Sequence, residues 1–150
     1  MKEIKIYFDE PKEFSSRFFK PLIGLRGLYF IFSKQIYIAY PFKRSRLLYI
    51  GMSEKKTNSI GKRLSDHYEG TSRNIGITNY KKVDQLFFTY INYEMLRNLW
   101  DYRVEDLESY FILNFVKNYG IYPICNNKSG FEIMNIKLDV NIEIDWQYFE

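Results

Sequence analysis

The fold of this chain is decided by two tripeptides, Gly27-Leu28-Tyr29 and Tyr49-Ile50-Gly51, each at the edge of an apolar run. Both runs are rich in the β-branched and aromatic residues that favour strands. Because side chains alternate across a pleated strand, neighbouring strands can present both tyrosines on one face of a sheet. We therefore expect the hydroxyls of Tyr29 and Tyr49 to stand side by side.

On either side of the tripeptides, the hydrophobic pattern predicts strands over residues 2–8, 28–32, 35–40, 46–50 and 85–93. The three strands between residues 28 and 50 are expected to form an antiparallel meander. Residues 131–138 and 141–146 are expected to close the chain as a hairpin. The fold class is therefore α+β, a small antiparallel β-sheet flanked by helices, in a single domain of residues 1–150.

One predicted helix carries an arginine and the only histidine of the chain. It begins at a cap, Asn58 or Ser59, and ends near Glu69. Arg63 and His67 are four residues apart in this helix, so they share one flank of it.

The strongest helical pattern covers residues 104–119 and stops at Gly120. Glu108 lies beside the apolar stripe of this helix, where an acid is either paired or functional because burying it unpaired is costly. Glu105, one turn earlier, is a rival acid, but its place at the helix start favours a solvated side chain. A short helical stretch is also predicted for residues 13–19.

The composition restricts the class of protein. At 150 residues the chain is long enough for one domain with a sizeable core. The single cysteine, Cys125, excludes an internal disulfide and a thiolate metal cluster, so we expect a cytoplasmic protein. The charged N-terminus is unlike a secretory signal, and no apolar run reaches the roughly twenty residues of a membrane-spanning helix. No membrane partner is expected.

Positive charge is concentrated in the middle of the chain. Residues 43–82 hold ten Lys or Arg against three acids, whereas residues 131–150 hold five acids and one Lys. The basic side chains expected to contact a nucleic acid are Lys43, Arg44, Arg46, Lys55, Lys56, Lys62 and Arg73. The plain alternative is an ordinary solvated surface, since the net charge is only +4.

At these motifs the sequence resembles the GIY-YIG nucleases. The first tripeptide is similar to the family's own with Leu28 in place of isoleucine, and the second tripeptide is unchanged. The resemblance covers about residues 24–128 and leaves residues 1–23 and 129–150 as terminal extensions.

Four further residues match the family's motifs in chain order. Arg63 with His67 resembles its arginine helix, and Glu108 resembles its metal-binding glutamate. Asn126, three residues after Pro123, resembles its terminal asparagine.

Two features depart from the family's pattern. Nineteen residues separate Tyr29 from Tyr49, where the family more often has about half that number, so an extra strand or a lengthened hairpin is expected here. Met52 follows the second tripeptide where some members have a lysine. Lys55, Lys56 and Lys62 are the candidates to replace that lysine in space, so one cationic role is unassigned.

The resemblance implies a metal-dependent endonuclease that hydrolyses DNA phosphodiester bonds, of restriction type or of mobile-element or phage type. RNA stays open as a substrate. Double-strand cleavage by so small a domain would use a homodimer or two successive nicks.

The residue types suit this chemistry. Glu108 can hold Mg²⁺ or Mn²⁺ together with substrate phosphate, and Arg63 can bind that phosphate in a bidentate contact. Tyr29 or Tyr49 would accept a proton from water, with a pKa lowered by nearby positive charge and by a hydrogen bond to His67; the resemblance favours Tyr29. Asn126 would be a neutral hydrogen-bonding prop.

Two other classes of function stay open. The first is a non-catalytic nucleic-acid-binding module on a nuclease-like fold. The second is a structural or protein-interaction domain, in which the 19% of aromatic residues would form an interface.

Overall fold

The central element of the fold is a four-stranded antiparallel sheet. A computed structural model describes residues 1–150. In spatial order the strands are β2 (Lys12–Glu13), β7 (Leu86–Asn92), β3 (Gly27–Ser33) and β6 (Leu47–Ser53). Every residue of β3 is buried, because strands pair with both of its edges and helices cover both of its faces. The α+β class predicted from the sequence is confirmed.

The two faces of β3 belong to two separate cores. Four helices accompany the sheet: α1 (Ser16–Phe19), α2 (Ile60–Glu69), α3 (Ile75–Val83) and α4 (Val104–Tyr119). Tyr29 and Ile31 pack in a hydrophobic cluster with α2 and α3, whereas Leu28, Phe30 and Phe32 pack in a larger one with α4. This division follows from the alternation of side chains along a strand. Tyr29 therefore faces α2.

The two predicted long helices form with their predicted ends. Ser59 Oγ accepts the backbone N–H of Lys62 at 3.3 Å and caps α2, which Gly70 ends with a φ of 83°. Gly120 ends α4 in the same left-handed conformation, with a φ of 97°. None of these helices is both long and apolar enough to cross a bilayer.

The predicted strand over residues 35–40 is reduced to two residues, and its predicted place in a meander with the neighbouring strands is wrong. β3 and β6 pair directly, and the N–H of Ser33 donates to the carbonyl of Arg46 at 3.0 Å. The connection between them leaves the sheet as a small hairpin of β4 (Ile38–Ala39) and β5 (Arg44–Ser45). The long spacing between the two tripeptides is thus a hairpin outside the sheet.

A side chain explains why this segment does not join the sheet. Asp84 Oδ2 accepts the N–H groups of Gln35 and Ile36 at 2.8 and 3.0 Å. The carboxylate satisfies the two donors that a neighbouring strand would otherwise satisfy.

The predicted closing hairpin is also wrong. Phe131–Asn135 is a 3-10 turn, and β8 (Val140–Ile144) pairs in parallel with β1 (Lys2–Ile6). Alternate residues of β8 enter the core beside α4, where the hydroxyl of Tyr110 accepts the N–H of Ile142 at 2.9 Å. Burial against α4 therefore decides the pairing of β8, and it joins the two ends of the chain.

Two smaller differences concern short elements. The predicted helix over residues 13–19 is reduced to α1, because Lys12–Glu13 pairs with β7. The helix α3 had no counterpart among the predicted elements; Asn74 Oδ1 caps it by accepting the N–H of Ile77 at 3.1 Å.

Gly51 lies directly across the sheet from Tyr29. A Cβ atom on Gly51 would lie 2.2 Å from Cζ of the Tyr29 ring, far inside van der Waals contact. The glycine of the second tripeptide is therefore required by the tyrosine of the first, because the ring occupies the space of a side chain.

We predict that Gly51→Ala lowers the free energy of unfolding by about 1–3 kcal/mol, the range typical of overpacking a core. Urea denaturation measures this loss. In a Tyr29→Leu background the same substitution should have a much smaller effect, because the ring is absent. An equal loss in both backgrounds would contradict the packing described here.

Candidate active site

Tyr29 and Tyr49 are neighbours on the α2 side of the sheet, with ring centroids 6.0 Å apart. Tyr29 pairs with Gly51 and Tyr49 lies two residues before Gly51 on β6, so both rings point to the same face of the sheet. Tyr29 is fully buried, whereas Tyr49 is partly exposed and lines a cleft.

The hydroxyl of Tyr29 binds two polar side chains of α2. Arg63 Nε–H donates to it at 3.2 Å, and Nε2 of His67 lies 2.9 Å from it. Because a guanidinium can only donate, the hydroxyl oxygen accepts that bond and its own proton is free for His67. Arg63 and His67 reach one hydroxyl because they are one helical turn apart.

His67 is neutral in this environment. Burial and the neighbouring Arg63 charge lower the pKa of His67 to about 4. In the neutral tautomer that carries its proton on Nδ1, Nε2 accepts the proton of Tyr29 and Nδ1–H donates to Ser72 Oγ, which lies 2.8 Å away. Ser72 Oγ also accepts the N–H of Asn74 at 3.3 Å, so the loop after α2 fixes the orientation of the ring.

The sequence-based expectation of lowered tyrosine pKa values is wrong. Burial raises the pKa of Tyr29 well above its usual value; Tyr49 adds to the rise and Arg63 opposes it. Burial also raises the pKa of Tyr49, with Glu108 adding and Arg63 opposing. The free-energy cost of removing a phenolate from water exceeds the stabilisation by one nearby guanidinium, so both tyrosines are neutral phenols.

Glu108 lies on α4 with only 8% of its surface exposed. Its Oε1 contacts Nζ of Lys128 at 2.6 Å, so this buried acid is paired. Burial raises the pKa of Glu108, while the ammonium of Lys128 opposes the rise. The rival acid Glu105 is more exposed and pairs with Arg103 at 3.2 Å, as a solvated helix-start residue would.

Asn126 closes the outer edge of β6. Its Oδ1 accepts the N–H of Ile50 at 2.9 Å, and its Nδ2 donates to the carbonyl of Ile50 at 2.8 Å. Beside it, the N–H of Cys125 donates to the carbonyl of Leu48 at 2.8 Å. The amide thus takes the place of a neighbouring strand and holds the second tripeptide in position.

A cleft of about 220 Å³ opens beside these groups, lined by Tyr49, Asn58, Arg63, Asp66, His67, Ser72 and Asn74. A larger cleft of about 560 Å³ lies between β1 and β7, but none of the residues predicted to act in catalysis lines it. The smaller cleft is the candidate site, because its polar side chains converge there.

Four of the seven basic residues predicted to contact a nucleic acid lie close to cleft residues along the chain. Lys55 and Lys56 are exposed just before Asn58. Lys62 pairs with the cleft residue Asp66 at 2.8 Å, and the exposed Arg73 has an unusual φ of 64°.

The other three basic residues contact different parts of the molecule. Lys43 pairs with Glu150 at 3.2 Å, and the guanidinium of Arg44 lies 4.4 Å from the centre of the Tyr37 ring. Arg46 donates to the carbonyl of Tyr148 at 3.2 Å. Lys43 and Arg46 connect this part of the chain to the C-terminal segment, whereas Arg44 packs on the residue just before β4.

No protein-family model, curated protein or solved structure matches this chain. A function has to be argued from the side chains of the site. These side chains form one hydrogen-bonded chain, from Arg63 through Tyr29 and His67 to Ser72.

Lys128 and Ser72, which bind predicted catalytic side chains, had no sequence-based prediction, and neither had the cleft residues Asp66 and Asn74. Lys128 pairs with Glu108, and Ser72 orients His67. Lys128 follows Asn126 by two positions, and this proximity to a predicted site residue was the available signal. Nothing in the sequence near Ser72 distinguished its hydroxyl from those of other loop residues.

Glu108 is the predicted site residue that could bind a divalent cation. No three His, Cys, Asp or Glu side chains lie close enough together to hold a metal ion between them. Glu108 supplies one hard oxygen ligand, and Mg²⁺ commonly uses one or two carboxylates together with waters and substrate phosphates. Such an ion fits Glu108 if the contact of Oε1 with Lys128 is released.

We predict that His67 makes the protein less stable as pH falls from 6.5 towards 4. The folded pKa is about 4 against 6.5 for the unfolded chain, so the unfolded state binds more protons in this interval. Between these pH values the shift of ~2.5 units removes up to roughly 3 kcal/mol of stability.

Urea denaturation at several pH values measures this effect, with His67→Gln as the matched control. The difference between the two proteins should change across this interval and be constant above it. A constant difference from pH 7 to pH 4 would show that His67 is not a buried neutral base.

Proposed function

We propose that this chain is a metal-dependent endonuclease that hydrolyses DNA phosphodiester bonds with a GIY-YIG-like site. The observation that carries the proposal is the hydroxyl of Tyr29, which contacts both Arg63 and His67 beside a polar cleft. Phosphodiester hydrolysis needs a phosphate ligand, a proton acceptor for water and charge stabilisation, and these groups supply each one.

Arg63 is the proposed phosphate ligand. Its hydrogen bond to Tyr29 uses Nε, and a bidentate contact with phosphate would use the terminal nitrogens. Burial alone would lower the pKa of Arg63, but Tyr29, Tyr49 and Glu108 raise it, so the side chain stays charged. The Arg63 side chain lines the cleft together with Tyr49 and His67.

The proposed proton acceptor is the pair of Tyr29 and His67. As the oxygen of Tyr29 takes a proton from the attacking water, its own proton moves to Nε2 of His67. This transfer requires no free phenolate, which agrees with the raised pKa of Tyr29. A phosphate bound to Arg63 would also offset the charge that lowers the pKa of His67.

Tyr49 is proposed to orient the water, because it is the tyrosine that lines the cleft. Tyr29 has no exposed surface, so substrate binding must bring the water to its hydroxyl past Tyr49. This division of roles reflects their unequal burial in the two strands.

Glu108 would hold Mg²⁺ or Mn²⁺. When bound, such a cation neutralises charge that develops on the phosphoryl oxygens. The protein's own contribution is a carboxylate fixed on α4 and held near both tyrosines, whose pKa values it raises.

The proposed DNA surface consists of the exposed cationic side chains around the cleft. Lys55, Lys56 and Arg73 are exposed and lie close in the chain to the cleft residues Asn58, Ser72 and Asn74. Contacts of this kind bind phosphates without reading bases, so they predict affinity that falls steeply with salt.

The second candidate is a non-catalytic nucleic-acid-binding module. It is favoured by the pairing of Glu108 with Lys128, which satisfies the carboxylate without a metal ion. This reading predicts salt-dependent binding and no strand breaks with any divalent metal.

We predict that Glu108→Gln abolishes metal-dependent nicking of a supercoiled plasmid and leaves DNA binding unchanged, because the amide cannot replace a charged ligand. Glu105→Gln is the matched control, one turn earlier on α4, and should cut at the parent rate. Gel analysis of cleavage and a filter-binding assay check both variants. Equal cleavage by parent and Glu108→Gln would remove Glu108 from the site.

We predict that Arg63→Ala lowers the cleavage rate by about 10²–10³-fold, the loss typical of one preorganised charge stabiliser. Single-turnover cleavage of a labelled duplex measures this rate. Arg97→Ala, which removes an exposed arginine paired with Glu94, is the control and should have little effect. Full activity of Arg63→Ala would contradict the proposed phosphate contact.

A further inference from the structure

The ammonium of Lys128 lies among three oxygen atoms. Nζ contacts Glu108 Oε1 at 2.6 Å and Ser109 Oγ at 3.2 Å, and it lies 3.7 Å from Glu132 Oε1. Carboxylate and hydroxyl oxygens around a positive charge are also the usual surroundings of a hard divalent cation.

The two carboxylates beside Lys128 differ in exposure. The side chain of Glu108 is 11% exposed, whereas that of Glu132 is 53% exposed. Ser109 Oγ donates to Glu132 Oε1 at 2.6 Å and keeps this second carboxylate close to the ammonium. Lys128 can therefore leave Glu108 and still remain paired.

The backbone on both sides of Lys128 is fixed. Asn126 is bound to β6 through two hydrogen bonds to Ile50. Gly130 packs so closely on α4 that a Cβ there would lie 2.3 Å from the carbonyl oxygen of Ser109. Any movement of the ammonium must come from its flexible four-carbon side chain.

We propose that the ammonium of Lys128 pairs with Glu108 until a divalent cation displaces it, and that the ammonium then pairs with Glu132. The inference rests on the proposed function only in taking Glu108 as the cation ligand. Lys128 is a positioning residue here, because it acts through Glu108. It keeps a buried carboxylate paired in the free protein and sets the affinity of the site for metal.

The proposal is tested by Mn²⁺ titration without DNA at pH 8, followed by electron paramagnetic resonance. Lys128→Met removes the competing charge while keeping much of the side-chain length, and should tighten Mn²⁺ binding by about tenfold. Lys128→Arg keeps the charge and should bind close to the parent affinity. Lys117→Met removes an exposed charge elsewhere on α4 and should change little.

Lys128→Gln is the second variant if Lys128→Met does not fold, because its amide can still donate to Glu108. Thermal melting in EDTA establishes that each variant is folded before titration. Unchanged or weaker Mn²⁺ binding in folded Lys128→Met or Lys128→Gln would overturn the proposal.

Glu132→Gln tests where the ammonium goes. In the parent it should weaken Mn²⁺ binding by about threefold, because the displaced ammonium loses its second partner. In the Lys128→Met background it should have no effect. An equal loss in both backgrounds would make Glu132 a metal ligand and overturn the transfer of Lys128.

Cleavage and metal binding separate this inference from the proposed function. If cleavage depends on Glu108 but the Mn²⁺ affinity does not change when Lys128 is replaced, the inference is wrong and the proposed function is retained. Tighter Mn²⁺ binding by Lys128→Met in a protein that never cuts DNA overturns the function and leaves the inference standing.

Discussion

The hydroxyl of Tyr29 is the polar group around which the site is built. It is buried in the central strand, where an unpaired phenol would destabilise the fold. Arg63 and His67 satisfy it from one flank of α2, so the position of that helix follows from the position of the hydroxyl. Gly51 leaves the space in which the ring lies.

Apart from Arg63, the charged groups of the site are balanced before any ligand binds. Both tyrosines are neutral phenols and His67 is a neutral base, while the carboxylate of Glu108 is matched by Lys128. Arg63 is then the cation that faces the cleft, ready for an anion. A phosphate with its metal ion would bring one negative and one positive group to complementary positions. This complementarity connects the fold to the proposed hydrolysis.

The sequence was sufficient to predict the parts of the fold that depend on local pattern. The caps and apolar stripes predicted α2 and α4, and the tripeptides predicted two strands whose tyrosines share a face. It failed where a distant residue decides the structure. Asp84 binds the backbone N–H groups of Gln35 and Ile36, which do not join the sheet. Packing against α4 places β8 in parallel pairing with β1.

The same division applies to the candidate site. Spacing predicted that Arg63 and His67 share a flank, but the pKa of each tyrosine depends on burial that spacing does not reveal. The pairing of Lys128 with Glu108 joins a loop to a helix, so no local motif announces it. The family resemblance singled out Glu108 but gave no indication that Lys128 pairs with it.

The central claim is that the hydroxyl of Tyr29 donates its proton to Nε2 of His67. Nitrogen-15 NMR of the imidazole ring tests this hydrogen bond most directly. The chain has a single histidine, so in tag-free protein one ring gives all the imidazole signals. At pH 7 we expect a neutral ring with its proton on Nδ1, facing Ser72, and with Nε2 accepting from Tyr29. A charged ring at pH 7, or a neutral ring protonated on Nε2, would contradict this arrangement.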